Sequence, residues 1–264
     1  MKIALFQLNS KLEYKENLEV IHNLASEAKD KGADAFFLPE CFYSMSNGLK
    51  ATPHLVQDDN EHFQLIRGIA VRHKAYLIGG SAATSFKGNV VNRVLNFNPE
   101  GDLLGVYDKM HLFSCELKKT TSKEGAKSID ESDIYTPGTT PTVINVLGEK
   151  VGLGVCFDLR YPEMARKYVL EGASILTFAS AFTVPTGKAH WHILNRSRAI
   201  ENQCYVIASA QWGKHNERIS TFGHSLVVDP WGDVLVDMKE GVGVEVVELD
   251  FDRVSEIRKK VKVF

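Results

Sequence analysis

Three residues that stand far apart in a 264-residue chain have the side chains of an acyl-transfer centre. Glu40 follows the apolar run Phe36-Phe37-Leu38-Pro39 directly, and a carboxylate there is costly to desolvate unless it is paired or protonated. Lys109 lies in Tyr107-Asp108-Lys109-Met110-His111-Leu112, just past a hairpin strand. Cys156 ends the glycine-studded apolar run Val151–Val155, on the bend before a helix that opens with Pro162. A thiol near a helix start ionises more readily, and strand ends are where open α/β folds place reactive groups. A sulfur nucleophile, a carboxylate that takes and returns protons and an ammonium that neutralises an oxyanion need no histidine. Each residue also has a plain reading: an exposed strand-end acid, a surface lysine, a buried and inert cysteine.

The elements that must position them alternate between strand and helix. Strands are expected at Ile3–Leu8, Ala35–Leu38, Tyr76–Ser81, Val143–Val146, Val151–Val155 and Ile175–Phe178. Helical spacing marks Glu16–Lys31, which ends at Gly32, then Glu61–His73 and the stretch from Pro162 that stops at Gly172. Val94–Phe97 and Leu103–Tyr107 flank the turn signal Asn98-Pro99-Glu100-Gly101. Lys118–Glu131 is polar and lysine-rich without an apolar period, which predicts a surface excursion or mobile loop.

Beyond residue 150 the order returns. IALFQL is echoed by VGLGVC, GADAFFLPECF by GASILTFASAF, AYLIGGSA by CYVIASAQ and NFNPEGDLLG by VVDPWGDVLV. Two similar halves, each a helix-covered sheet packed face to face, predict an α/β fold in one domain over residues 1–264, a four-layer α-β-β-α sandwich.

Basic and acidic residues nearly cancel, 31 against 33, which argues against a nucleic-acid partner or a membrane surface. No run approaches the roughly 20 apolar residues of a membrane span. The start MKIALFQLNS reads as a first strand and not as a signal peptide. Cysteines 41, 115, 156 and 204 form no CxxC pair and no zinc spacing, so a reduced cytoplasmic enzyme without metal is the simplest reading. His190 and His192 face different sides of a helix, which favours packing over metal binding, and His111 and His224 are expected to be structural. Cys41 is expected to pack beside the site.

LPECF around Glu40, YDKMHLF around Lys109 and GVCFDLRYPE around Cys156 resemble the nitrilase, or carbon–nitrogen hydrolase, superfamily. SAFTVPTGKAHWHILNRSRAIENQCYVIASAQWGKH and GHSLVVDPWGDVL extend the resemblance over essentially the whole chain. It implies the sandwich, a Glu-Lys-Cys triad and no cofactor. It also implies a second glutamate ahead of Thr136-Pro137-Gly138: Glu131 is favoured, with Glu116 the competing position. The implied reaction has Glu40 take the Cys156 proton as the thiolate attacks an amide carbonyl. Lys109 and the backbone N–H of Phe157 hold the oxyanion, ammonia departs, and water releases the acid from a thioester.

Arg160, four residues past the cysteine, can hold a substrate carboxylate, or else pair with Glu163 or Asp158. By resemblance Phe182 and Thr186 line the acyl pocket; their plain readings are a core aromatic and a turn hydroxyl. The segment HWHILNRSRAIENQCYVIASAQWGKHNER looks most like the branch that hydrolyses deaminated glutathione, with ω-amidase, acting on 2-oxoglutaramate or 2-oxosuccinamate, as its neighbour. A strict nitrilase, an N-carbamoyl-amine hydrolase and a non-enzymatic scaffold are the rivals. Family members pair through helices outside the sheets, so a homodimer is implied, with Trp191, Leu194 and Ile200 as candidate contacts or core.

Overall fold

The computed structural model describes residues 1–117 and 127–264. Two sheets carry the fold. In the first, Lys2–Leu8, Ala35–Phe37 and Tyr76–Ile78 run parallel, and Asn89–Phe97 closes antiparallel beside them. In the second, Glu149–Val155, Ile175–Ala179 and Tyr205–Ala208 run parallel, and Leu226–Val228 closes the set antiparallel. The same β-α-β-α-β order with an antiparallel closing strand thus occurs twice, as the sequence echoes predict.

Alternation along the first strand shows how the layers form, because neighbouring side chains in a strand point to opposite faces. Ile3 and Leu5 pack with Val151, Leu153 and Ile175 of the second sheet. Ala4, Phe6 and Leu8 pack with Leu18, Ile21, Ile66 and Ile69 of helices α1 (Tyr14–Asp30) and α2 (Glu61–His73). On the far side, helices α3 (Pro162–Leu170) and α4 (Val184–Asn202) cover the second sheet. The order of layers is helix, sheet, sheet, helix. The glycines of Val151–Val155 permit two close approaches. A Cβ on Gly152 would stand 2.7 Å from the Tyr168 ring of α3, and one on Gly154 would stand 2.8 Å from the Phe178 ring.

Ala210–Lys214 leaves the second half and pairs parallel with Lys2–Leu8, so it stitches one sheet to the other half of the chain. Helix α5 (Asp252–Lys260) follows the last strand. The expected strand Tyr76–Ser81 is instead two, Tyr76–Ile78 and Ser81–Phe86, separated by Gly79 and Gly80. Ser114–Leu117, just ahead of the expected loop Lys118–Glu131, pairs with Lys127–Asp130 inside it to form a two-stranded ribbon; residues 118–126 of that loop lie outside the described residues. Trp191 is fully buried beneath Phe182 (ring centroids 4.8 Å), so it is core and not a contact surface. Leu194 packs against that core, whereas Ile193 and Ile200 of α4 are exposed.

Candidate active site

Cys156 opens a 3-10 turn, Cys156–Arg160, at the carboxyl end of Glu149–Val155. Its φ of +49° is left-handed, which costs a side-chain-bearing residue about 1–2 kcal/mol and must be held by surrounding contacts. Asp158 supplies them. Its carboxylate is fully buried and accepts from Val155 N (2.8 Å) and Tyr107 Oη (2.6 Å) on one oxygen. On the other it accepts from His111 N (3.0 Å) and His111 Nδ1 (2.6 Å). One carboxylate therefore ties the cysteine turn to the residues on both sides of Lys109. The His111 ring lies over Tyr161 at 3.4 Å, which fixes it further. His111 is structural, as expected. Asp158 is a hub, and not the partner of Arg160 that was one of the alternatives.

Lys109 is buried, and its ammonium donates to Glu40 Oε1 (2.8 Å) and to Glu131 Oε1 (2.9 Å). Asn92 completes the group: its carbonyl accepts from Lys109 N (3.0 Å), and its side-chain amide donates to Glu40 Oε1 (2.9 Å). Both donors fall on Oε1, so Oε2 is the Glu40 oxygen left to take a proton. Glu131 is held in turn by Phe113 N on Oε2 (2.8 Å). Glu131, then, and not a loop carboxylate in solvent, meets the lysine; the side chain of Glu116 lies outside what the structure describes.

The charges are mutually dependent. Burial alone would strip the proton from Lys109, but the Glu131 and Glu40 carboxylates outweigh it and hold the ammonium well above its ordinary range. Burial, opposed by Lys109 and reinforced by Glu40, raises the Glu131 carboxyl. Burial and then the Glu40 charge push the Cys156 thiol up, against Lys109 and a hydrogen bond from the Ala181 backbone. The sulfur thus rests as a thiol. The ease of ionisation expected near a helix start is not gained here: α3 begins at Pro162, past the intervening 3-10 turn, and the Glu40 and Glu131 charges oppose it. Cys41 is a second resting thiol on the cavity wall, raised by burial and by Glu40.

A cavity of about 510 Å3 opens over this group, with Glu40 and Cys156 on its surface and Lys109 behind them. Phe157, Arg160, Phe182 and Thr186 line it together. Phe182 is both core, against Trp191, and cavity wall. The Thr186 hydroxyl is engaged by its own turn, 2.8 Å from Thr183 Oγ1. The Arg160 guanidinium lies 5.5 Å from the ring centres of both Phe157 and Phe182. Its Nη2 meets His190 Nδ1 at 3.2 Å, while its buried Nε has no partner among the described residues. No carboxylate among those residues pairs with it, so neither Glu163 nor Asp158 occupies the fork.

His190 and His192 diverge, as expected. His192 instead meets Asp237 (3.2 Å), which also holds His224 (2.9 Å). Asn92, the hub role of Asp158 and Arg218 on the cavity rim escaped the sequence reading. Asn92 and Asp158 carry no local signal, because each acts through residues distant in the chain.

A thiol, a carboxylate and a caged ammonium around one largely apolar cavity are the groups that acyl transfer by nucleophilic attack requires. Residues 2–259 match the carbon-nitrogen hydrolase family, and the chain belongs to it. It is 33% identical over 264 residues to human omega-amidase NIT2, covering all of this chain and 93% of that one. It is 36% identical over 273 residues to mouse deaminated glutathione amidase, covering 99% and 81% respectively. The crystal structure of Saccharomyces cerevisiae Nit3, a member of branch 10 of the nitrilase superfamily, matches with a TM-score of 0.87 at 30% identity, over 99% of this chain and 94% of that one. The protein is a carbon–nitrogen hydrolase acting on amides. No helix among the described residues is long and apolar enough to cross a membrane.

Proposed function

We propose that this hydrolase cleaves the amide of a small carboxylate-bearing 2-oxo acid, with deaminated glutathione as its substrate and 2-oxoglutaramate as the alternative. The observation that carries the reading is the arginine fork. Arg160 stands without a carboxylate partner among the described residues, on the wall of the cavity that Cys156 lines. Such a fork binds a substrate carboxylate bidentately. The volume supports the longer substrate, because a five-carbon amide fills only part of a cavity within the roughly 300–1,000 Å3 of drug-sized ligand sites.

In the proposed reaction Glu40 Oε2 takes the proton of the resting Cys156 thiol as sulfur attacks the amide carbon. Lys109 Nζ and Phe157 N–H, in the first turn of the 3-10 helix where amides lack intrahelical partners, stabilise the oxyanion. Glu40 returns the proton to the leaving nitrogen and then activates water against the thioester. Glu131 keeps Lys109 charged and aimed.

For deaminated glutathione the scissile nitrogen carries the rest of the peptide. The leaving group is then a peptide amine; ammonia, the product expected from the sequence, leaves only from a primary amide. The test measures 2-oxoglutarate release from both compounds by purified protein. A higher kcat/KM for deaminated glutathione supports the reading. A higher value for 2-oxoglutaramate favours the ω-amidase alternative, and no release from either overturns both. The cytoplasmic location and a homodimer, formed through Leu170 of α3 and Ile193 and Ile200 of α4, belong to the same proposal.

A further inference from the structure

We infer that Arg218 forms a second anion subsite, at the mouth of the cavity, which takes a carboxylate carried on the amine side of the scissile amide. The inference rests on the proposed function and assigns the part of the substrate that Arg160 does not reach.

Two arginines line the one cavity, and they come from different parts of the fold. Arg160 stands on the Cys156 turn, packs against Phe157 and Phe182, and lines the cavity with Cys156. Arg218 stands on the turn between the strands Ala210–Lys214 and Ser220–Phe222, and its side chain is exposed at the rim. No carboxylate among the described residues pairs with it; the adjacent Glu217 is engaged by Lys214 at 2.8 Å.

The turn that carries Arg218 is fixed. Asn216 Oδ1 accepts from Arg218 N (2.9 Å) and Ile219 N (3.0 Å), and Asn216 Nδ2 donates to Ser46 O (3.1 Å). Buried His215 beneath it bonds Ser10 O (2.8 Å) and Thr221 Oγ1 (2.7 Å). A Cβ on Gly48 would stand 3.3 Å from Ile219 Cδ1, so this loop and the turn are pressed together. The guanidinium is therefore presented from an anchored base, which reduces the ordering cost of binding. Asp130, which lines the same cavity, spends its oxygens on Ser114 Oγ, Ser132 N and Ser132 Oγ.

An acyl group bound to Arg160 places the leaving nitrogen over Cys156 and directs whatever that nitrogen carries toward the open end. A primary amide has nothing to offer Arg218. A peptide-like amine with a terminal carboxylate does, and charge pairing at the rim then separates the two substrate classes.

The test compares deaminated glutathione with its terminal carboxamide, which keeps the shape and removes the charge. The wild type is expected to prefer the acid about ten-fold in kcat/KM, the equivalent of about 1.4 kcal/mol. Arg218→Ala is expected to abolish that preference and Arg218→Lys to keep part of it. An acid-to-carboxamide ratio equal in wild type and Arg218→Ala overturns the inference and leaves the proposed function standing. Turnover of 2-oxoglutaramate with none of either longer compound also overturns it, in favour of the ω-amidase alternative. No turnover of any of the three overturns the proposed function and the inference with it.

Discussion

Asp158→Asn is the substitution that best probes how the nucleophile is held. The carboxylate is fully buried and receives four donors, two on each oxygen. An asparagine fits the space, but one of its two polar atoms becomes an NH2 that faces donors. Whichever way the amide turns, two hydrogen bonds to a charged acceptor are lost. At about 1.5–3 kcal/mol for each such bond, the loss is about 3–6 kcal/mol, a large share of the 5–15 kcal/mol typical of a folded chain. For a chain of this size, each kcal/mol lowers Tm by about 2–4 °C. Tyr107→Phe removes one of the four donors, so it should cost about half as much. The assay is urea unfolding with the m-value compared between proteins, so that a changed midpoint reports stability alone. Turnover at a temperature where both variants stay folded should fall as well, because the left-handed Cys156 turn loses its tie to Val155 or to His111. A midpoint for Asp158→Asn equal to that of the wild type would refute the hub.

Two further outcomes follow from the same geometry. Asn92→Ala removes a donor from Glu40 Oε1 and should lower kcat about ten-fold or more, the worth of one hydrogen bond to a charged group; unchanged kcat would show that Lys109 alone positions Glu40. Burial holds His215 down at about 4, so the folded state keeps it neutral while the unfolded chain binds a proton below about 6.5. The stability this contributes is complete above that value and is lost as pH falls from 6.5 through 4, by about 3 kcal/mol at the lower end. His215→Gln should flatten that part of the pH profile, measured by unfolding midpoints, and an equal slope in both proteins would contradict the assignment.

What the sequence disclosed and what it withheld divide along physical lines. Helix α2 was legible to the residue from the helical spacing of Phe63, Ile66 and Ala70, and the structure ends it where Asn60 caps Phe63 N and Lys74 turns left-handed. The two-halved sandwich was legible because burial imposes the same period on both halves. Tyr76–Ser81 was misread as one strand. The chain turns at Gly79 and Gly80, and Ser81–Phe86 begins a new strand whose apolar pattern is too weak to announce itself. Glu40, Lys109 and Cys156 were readable from their motifs. The partners that give them their properties were not: Asn92 lies 52 residues from Glu40, and Asp158 reaches Tyr107 and His111 across 51 and 47 residues. The forces that keep the Cys156 proton in place were hidden for the same reason, since the carboxylates that oppose its loss arrive only on folding.

In the proposed reaction Cys156 attacks as its proton passes to Glu40, and the sulfur then carries the acyl group as a thioester. The most direct measurement is mass spectrometry of the protein quenched in acid during turnover of 2-oxoglutaramate or deaminated glutathione. One 2-oxoglutaryl adduct is expected on the peptide that contains Cys156, absent in Cys156→Ala and scarce in Glu40→Gln. Full turnover by Cys156→Ala, or an adduct located on Cys41 instead, would contradict it.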